Sequence, residues 1–219
     1  MGLINKLILT IGVKRMDSFK EFLSEENKLG RLSIFDIDDT LFHTTAKITV
    51  MKDGKVLKKL SNQEFNTYSL KSGESFDFSE FKDAEKFNKE SKPISRMLDR
   101  AKAILSHSVK NPLSKVIVVT ARSNFDNKDI FLNTFRKHRF NIDNVRVERA
   151  GNINDIAAAA DKKFVIIHNY LKTGQFDRVS LFDDAITNLT KFLELKKLFP
   201  KIKFEAYFVS HDGSIKLMK

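Results

Sequence analysis

The sequence predicts an α/β fold: a three-layer Rossmann-like domain on a parallel sheet, with a small cap insertion after the first core strand. Five short apolar runs, rich in Val, Ile and Phe, alternate with helical stretches along the chain. This alternation is typical of βαβ units around a buried parallel sheet. The interval between the first two runs is too long for one helix and is therefore expected to hold the insertion. The five runs are Leu32–Phe35, Val116–Val119, Val145–Val147, Val179–Phe182 and Phe204–Val209.

The stretches before and between these runs carry helical signals. Residues 16–29 have apolar side chains at i, i+3 and i+4 spacing, which predicts an amphipathic helix. We therefore expect an N-terminal helical extension over residues 1–30 and a core over residues 31–219. Further helices are predicted at Ile94–Leu105 and Phe164–Leu171, where apolar residues recur with helical spacing.

Residues 44–92 form the predicted insertion. Asp53-Gly54 stands between two apolar runs, and this dipeptide favours a two-residue β-hairpin turn. The rest of the segment is rich in Phe, Asp and Glu and predicts short helical or irregular pieces. The insertion is either structural decoration or, because it follows the first strand directly, a cap over a site at the end of that strand.

Composition excludes several classes of site and of protein. The 219 residues include no Cys, so disulfides, thiolate nucleophiles and zinc–thiolate sites are excluded. The apolar stretch Leu7–Val13 is far shorter than the roughly 20 residues that span a bilayer. We expect a cytoplasmic protein that does not bind membranes. The oligomeric state is left open.

The net charge of +11 is unevenly distributed. Residues 86–139 carry 13 Lys and Arg against 4 Asp and Glu, a surplus of 9 positive charges. Such a surplus favours a polyanionic partner such as nucleic acid. The simpler explanation is compositional drift, since Lys, Asn, Ile and Phe are all abundant and basic helices are usually solvated surfaces.

Acidic pairs follow two of the apolar runs. The first run leads directly into Asp36-Ile-Asp38, which places both carboxylates on one side if the chain stays extended. Carboxylates this close repel each other unless a cation or a shared proton relieves them. The fourth run ends in Asp183-Asp184. Open α/β sheets bind ligands at the carboxyl ends of their strands, so a divalent-metal site is expected there.

A hydroxyl and several cations complete the pattern. Thr120 and Arg122 follow the second run, and the pair Lys162-Lys163 lies between the second and fourth runs. Carboxylates, a hydroxyl and a Lys at one sheet edge outline a site for a divalent metal and a phosphate. Arg122 either contacts the substrate or only caps the strand end.

This order of motifs resembles the haloacid dehalogenase-like hydrolase superfamily. The similar residues are Asp36-Ile-Asp38-Asp39-Thr40, then Thr120, then a Lys at 162 or 163, and finally Asp183-Asp184, and the resemblance covers residues 31 to about 210. Asp39 stands where many relatives have Gly, although Asp is also common at that position. The resemblance implies a magnesium-dependent phosphohydrolase that cleaves phosphate monoesters.

The resemblance also implies a role for each residue. Asp36 would attack phosphorus and become phosphorylated, and Asp38 would act as general acid and then general base. Mg²⁺ would bind Asp36, the Asp38 backbone carbonyl and Asp183, with Asp184 holding a metal-bound water.

Phosphate oxygens would be held by Thr120 and by one lysine. Lys163 is favoured over Lys162, because apolar residues follow it at +3, +4 and +8 and so place it on the buried face of a helix that it begins. Arg122 is a further candidate phosphate ligand.

Other functions have less support. The chain has no GxxxxGK[ST] phosphate loop and no GxGxxG fingerprint, which argues against an ATPase or a dinucleotide enzyme. Phosphoryl transfer to an acceptor other than water stays open, as does a non-catalytic module that binds nucleic acid or another polyanion. The substrate is expected to be phosphorylated, and a nucleotide or a nucleic-acid end is the favoured candidate because of the basic residues at 86–139.

Overall fold

A computed structural model of the chain describes residues 29–65, 67–154 and 158–218. The predicted N-terminal extension lies outside these residues, except for its last two positions.

Short 3₁₀ helices lie at Ser79–Phe81, Ile142–Asn144, Ala150–Asn152 and Leu195–Lys197. In chain order, the strands and helices are β1 (Gly30–Phe35), β2 (Phe42–His43), β3 (Ile48–Lys52), β4 (Lys55–Leu60), α1 (Asn62–Phe65), β5 (Glu74–Asp77), α2 (Ala84–Glu90), β6 (Lys92–Pro93), α3 (Ser95–Lys110), β7 (Lys115–Thr120), α4 (Lys128–Arg136), β8 (Arg146–Arg149), α5 (Ala159–Leu171), β9 (Phe176–Asp183), α6 (Ile186–Glu194), β10 (Lys203–Val209) and β11 (Ile215–Leu217).

The central sheet has six strands in the order β11-β10-β9-β1-β7-β8. Each of its neighbouring pairs is parallel except β10 with β11. The prediction of an α/β, Rossmann-like fold with a parallel sheet is therefore confirmed. All five predicted runs lie in these strands, although Val145 directly precedes β8, and the antiparallel edge strand β11 was not predicted.

Alternating side chains of the strands build two cores. Leu32 and Ile34 of β1 face one side and pack with residues of α5 and α6, whereas Phe35 faces the other side with residues of α3 and α4. Both faces of a parallel sheet must be covered by helices, which explains the nearly continuous apolar runs. The rings of Phe35, Phe182 and Tyr207 stack across three adjacent strands at centroid distances of 4.7 and 4.8 Å.

The insertion has its own sheet and its own small core. Asp53 and Gly54 have φ angles of 49° and 72°, the left-handed conformations that a two-residue type I′ turn requires, so the predicted hairpin between β3 and β4 is confirmed. β5 pairs with the other edge of β3, a third strand that was not predicted. Ile48, Val50 and Leu60 are buried in this small core.

The two ends of the insertion meet. Phe42 of β2 pairs with Pro93 of β6 in a short antiparallel ladder, so residues 44–91 leave and rejoin the core at one place. That place follows β1, which lies in the middle of the sheet between β7 and β9. The strand order reverses direction on either side of β1, and a crevice at the carboxyl ends of the strands is expected at such a switch point.

The described helices include none that is both long and apolar enough to cross a membrane.

Glu80 ties together separate parts of the insertion. Its carboxylate accepts hydrogen bonds from the Lys59 Nζ at 2.7 Å, the Lys86 Nζ at 2.9 Å and the Lys47 backbone N–H at 3.1 Å. Burial alone would raise the pKa of Glu80, but these three bonds together outweigh burial and lower the pKa to about 2. The ionised carboxylate therefore stabilises the insertion.

We predict that Glu80→Gln lowers the free energy of unfolding at neutral pH by about 1–3 kcal/mol, the size expected for charge-assisted hydrogen bonds at a largely buried site. Because the folded-state pKa lies below the ordinary value of 4.5, this stabilisation is complete above that value and disappears as the pH falls towards 2. Urea denaturation followed by circular dichroism measures the difference.

Glu85→Gln is the matched control for Glu80→Gln. Glu85 makes an exposed salt bridge to Lys89 on the same helix, which should contribute much less to stability than the Glu80 contacts because water screens it. Equal unfolding midpoints for the two variants would show that Glu80 does not hold the insertion together.

Candidate active site

The loop after β1 carries the first two acidic residues. The Asp36 backbone N–H donates to the Phe182 carbonyl, so the sheet pairing with β9 continues to this residue. The chain then turns. The Ile37 carbonyl accepts hydrogen bonds from the backbone N–H groups of residues 40–42, and Asp39 has a φ of 55°. The assumption that the chain stays extended through Asp38 was therefore wrong. Both Asp36 and Asp38 nevertheless line one cavity.

The left-handed φ of Asp39 explains why Gly is suited to this position. In Asp39, side-chain contacts stabilise this conformation. Its carboxylate accepts a hydrogen bond from the Asn62 Nδ2 at 3.0 Å and lies 3.3 Å from the His43 Nδ1. Asn62 belongs to the insertion, so Asp39 connects the loop after β1 to that segment.

Three carboxylates converge at the ends of β1 and β9. One oxygen from each of Asp36, Asp183 and Asp184 lies within 4.8 Å of the others. Asp36 and Asp183 are buried, and Asp184 is partly exposed. β1 and β9 are neighbouring parallel strands, and their register aligns Phe35 with Phe182, so the residues that follow each strand must lie side by side.

Lys163 lies between two of these carboxylates. Its Nζ donates to Asp36 Oδ1 at 2.7 Å and to Asp183 Oδ2 at 2.8 Å, and the residue is only 3% exposed. Lys162 lines the cavity and is partly exposed. Lys163 is thus the more buried of the two lysines, as the apolar spacing predicts. The functional roles of both lysines stay predictions.

Helix α5 begins earlier than predicted. The lysine pair was predicted to lie at the helix start, but α5 begins at Ala159, so Lys163 lies in its second turn. Alanine favours helix, and Asp161 in the first turn interacts well with the helix dipole, which together extend the helix backwards. Helical side chains point towards the N-terminus, and the Lys163 ammonium reaches the sheet edge in that direction.

The carboxylate cluster has a formal charge of −2, from three carboxylates and one ammonium. Burial, followed by the charges of Asp183 and Asp36, raises the pKa of Asp184 to about 9. Burial also raises the pKa of Asp36 to about 7, although the nearby Lys163 ammonium opposes this rise. Burial would lower the pKa of Lys163, but Asp183 and Asp36 raise it above its ordinary value.

Asp36, Asp183 and Asp184 could hold a divalent metal ion. Their donors are carboxylate oxygens, the ligands that Mg²⁺ prefers. The formal charge of −2 left after pairing with Lys163 matches one such cation. The donor set therefore fits the magnesium ion that the resemblance implies.

Arg122 is directed at Asp38. Its Nε donates to Asp38 Oδ2 at 2.9 Å and its Nη2 to Asp38 Oδ1 at 2.6 Å, a bidentate pair in which the arginine is almost fully buried. Two further donors bind the Phe81 carbonyl and the Thr44 hydroxyl, both at 3.0 Å. The guanidinium lies 4.8 Å from the ring centroid of Phe81 and 4.6 Å from that of Phe87. Arg122, predicted to bind phosphate, thus has four of its five N–H donors engaged by described residues of the protein.

Thr120 is the last residue of β7 and is fully buried. Its hydroxyl accepts a hydrogen bond from the Arg122 backbone N–H at 3.2 Å. The cavity wall beside it is formed by the next three residues, Ala121 to Ser123. This wall approaches Gly151 so closely that a Cβ there would lie 2.5 Å from the Ala121 carbonyl oxygen, which explains the glycine.

Asn188 contacts Asp183. Its Nδ2 donates to both oxygens of Asp183, at 2.9 and 3.1 Å. Helix α6 begins at Ile186, so Asp184 precedes the helix and the i, i+4 spacing of helical side chains does not place Asn188 beside it.

The site opens into a cavity of about 1120 Å³ between the core and the insertion. Asp36, Asp38 and Asp184 lie on its core side, together with Lys162 and Lys163. The insertion contributes aromatic rings that were not predicted to lie at the site: Phe65, Phe76, Phe78 and Phe81.

Comparison of the chain with protein-family models and with curated proteins found no match.

We predict that, in EDTA, the melting temperature falls as the pH rises from neutral to about 9. The folded-state pKa of Asp184 is raised to about 9, so above neutral pH this carboxyl loses its proton at a cost to the folded state and stability declines towards that value. Asp36, with a pKa of about 7, contributes its own decline at lower pH, between its ordinary value of 3.8 and neutral pH. Asp184→Asn should remove most of the decline, and Mg²⁺ should oppose it in the wild type. Calorimetric melting curves at several pH values measure the effect.

Asp177→Asn is the matched control, because Asp177 is an exposed residue near the other end of β9. Its curves should follow the wild type. If the melting temperature of the wild type in EDTA did not change between neutral pH and about 9, the predicted repulsion between the buried carboxylates would be contradicted.

Proposed function

We propose that this chain is a haloacid dehalogenase-like phosphohydrolase that cleaves a phosphate monoester with the help of Mg²⁺. The observation that supports it best is the largely buried cluster of three carboxylates around Lys163, which has a formal charge of −2 and opens into a cavity through Asp36 and Asp184. A second acid, Asp38, lines the same cavity. Nucleophile, acid and cation ligands are thus close together.

Asp36 is the proposed nucleophile. One of its carboxylate oxygens attacks phosphorus, and the bond from phosphorus to the leaving oxygen breaks. Asp38 donates a proton to that leaving oxygen. In the second step Asp38 accepts a proton from water as the water oxygen attacks phosphorus, and the bond to Asp36 breaks, which regenerates the enzyme.

Asp36, Asp183 and Asp184, with the Asp38 backbone carbonyl, would hold the cation. When bound, Mg²⁺ reduces the repulsion between the carboxylate and the phosphate and stabilises charge on the phosphate oxygens. Lys163 orients Asp36 through its 2.7 Å bond and supplies a second positive charge beside it. Asn188 holds Asp183 in place through its amide.

Arg122 is proposed as a positioning residue for Asp38 rather than as a phosphate ligand. Its two bonds to Asp38 fix the direction of that carboxylate, and its bonds to Thr44 and Phe81 attach the insertion at the same point. The insertion would therefore act as a cap whose position is fixed relative to the acid. Thr120 accepts a hydrogen bond from the Arg122 backbone N–H and does not line the cavity, so it is proposed to support the Arg122 backbone, and its role as a phosphate ligand stays a prediction.

The basic stretch at 86–139 contributes little to the cavity. Of its 13 Lys and Arg residues, only Arg122 lines the cavity, and Arg122 is paired with Asp38. Several others are paired on the surface, including Arg96 with Asp212 and Arg136 with Asp143. A phosphorylated small molecule or chain end is therefore favoured over a substrate held along its whole length by this stretch.

We predict that Asp36→Asn abolishes phosphatase activity while the protein keeps its fold. The amide is nearly isosteric but cannot attack phosphorus, so kcat should fall by at least about 10³-fold. The assay measures phosphate release from a panel of monoesters, with and without Mg²⁺, alongside the circular dichroism spectrum.

Asp177→Asn serves as the control for Asp36→Asn, since it makes the same chemical change at an exposed site. Activity of Asp36→Asn within tenfold of wild type would remove Asp36 as nucleophile. Mg²⁺-dependent ligand binding without any turnover by wild type would favour a non-catalytic module.

We predict that Lys163→Ala lowers kcat/KM by at least about 10²-fold, the usual effect of losing one charge-stabilising donor, and that Lys162→Ala costs far less. Lys163→Ala also leaves two buried carboxylates without a cation, so its melting temperature should fall and should be partly restored by Mg²⁺. A larger loss of activity in Lys162→Ala would reverse the assignment of the two lysines.

A further inference from the structure

Aromatic rings of the insertion form one wall of the cavity. This aromatic wall consists of Phe65, Phe76, Phe78 and Phe81. Neighbouring rings meet at centroid distances between 4.9 and 6.5 Å, so the wall is continuous. It shares its cavity with Asp36 and therefore lies where the remainder of a substrate would extend from the phosphate.

Phe78 differs from the other rings of the wall. Phe81 belongs to the core of the insertion and Phe65 and Phe76 pack against it, whereas Phe78 lies outside that cluster and is 44% exposed. Its ring meets the Phe65 ring edge-on, at 5.6 Å and 86°. Folding of the insertion does not require an exposed ring here, and a large apolar group facing a cavity is typical of a binding site.

The aromatic wall is fixed relative to the proposed catalytic acid. Phe78 contacts Phe81 at 6.5 Å, and Phe81 both stacks on Arg122 and accepts a hydrogen bond from it. Arg122 in turn holds Asp38. A ring system bound at Phe78 would therefore be kept at a constant distance from the reacting phosphate.

Polar groups suited to the edge of a flat heterocycle line the same cavity. Asn124 and Asn154 present amides, and within the described residues neither the Asn124 Nδ2 nor the Asn154 side chain has a hydrogen-bond partner. An amide can both donate and accept. Lys82 and Lys162 also line the cavity, and neither forms a salt bridge with a described residue.

These features favour one chemical class of substrate. A small sugar phosphate would reach the carboxylates but leave Phe78 uncovered, and an acyl chain would not use the amides. A nucleobase has a flat face that stacks on Phe and an edge that pairs with amides. The cavity volume of about 1120 Å³ slightly exceeds the usual range for small-ligand sites, which ends at about 1000 Å³, and leaves room for a nucleotide.

We propose that Phe78, supported by Phe76, forms a nucleobase subsite, so that the substrate is a nucleotide whose phosphate reaches Asp36. This inference rests on the proposed phosphohydrolase function. The same chemistry is offered by a free mononucleotide and by the phosphorylated terminal nucleotide of a strand. The two differ only in whether a chain continues beyond the sugar.

The test compares kcat/KM for nucleoside 3′- and 5′-monophosphates with kcat/KM for glycerol phosphate. Phe78→Leu keeps an apolar side chain but removes the ring. We expect the kcat/KM for nucleotide, divided by the kcat/KM for glycerol phosphate, to fall about tenfold or more. Phe78→Tyr keeps the ring and should retain the wild-type ratio. A 3′- or 5′-phosphorylated oligonucleotide, assayed beside the matching mononucleotide, identifies which source the subsite accepts.

Leu57→Ala is the matched control. Leu57 is 51% exposed on β4 of the same small sheet, and it does not line the cavity. Its ratio should equal that of wild type. An unchanged ratio in Phe78→Leu, or an equal loss in Leu57→Ala, would overturn the subsite.

A binding experiment separates the subsite from the chemistry. Calorimetry with the Asp36→Asn protein, with and without Phe78→Leu, measures affinity for a nucleoside monophosphate and for glycerol phosphate in Mg²⁺. If wild type hydrolyses no monoester, the proposed function fails, but a nucleotide affinity that depends on Phe78 would still support the subsite. Equal affinities for the two ligands would overturn the subsite even if hydrolysis is observed.

Discussion

The ammonium of Lys163 between two buried carboxylates is the interaction on which the rest of the site depends. Asp36 and Asp183 are at the ends of neighbouring strands, and without a cation their charges could not both be buried there. The pair of bonds fixes the position of α5 against the sheet edge. The three carboxylates and one ammonium keep a formal charge of −2, which under the proposed function a divalent cation would balance.

The second constraint is the pairing of Arg122 with Asp38. A buried guanidinium needs hydrogen-bond partners, and here they come from the loop after β1 and from two parts of the insertion. One side chain thus connects three segments that are far apart in sequence. Under the proposed function, the acid, the cap and the aromatic wall would keep one arrangement, and the selectivity for substrate would depend on the cap.

The core of the fold could be predicted because its signals are local. Apolar runs separated by helices predict a parallel sheet, and Asp53-Gly54 predicts a hairpin from its backbone conformation alone. The partner of Arg122 could not be predicted in this way, since Asp38 is 84 residues away and no spacing rule connects them. The same holds for the contact of Asn188 with Asp183, which depends on where α6 begins.

The aromatic wall was also beyond prediction from sequence. The chain has 20 Phe residues, most of which were expected to fill the core. Only the three-dimensional structure distinguishes Phe78, which faces the cavity, from Phe35 or Phe135, which are fully buried. The start of α5 was misplaced for a different reason: helix propensity at Ala159 and Ala160 extended the helix beyond its apolar pattern.

Pairing of Phe42 with Pro93 has a consequence for how such a protein can diverge. Since the insertion leaves and returns through adjacent strands, a longer or shorter segment costs little in loop-closure entropy and does not disturb the strand order of the sheet. The residues between these strands can therefore be replaced as a unit by recombination or by gradual mutation. The carboxylates that follow β1 and β9 would remain unchanged while the surface facing them is exchanged, so specificity and chemistry can evolve on separate parts of the chain.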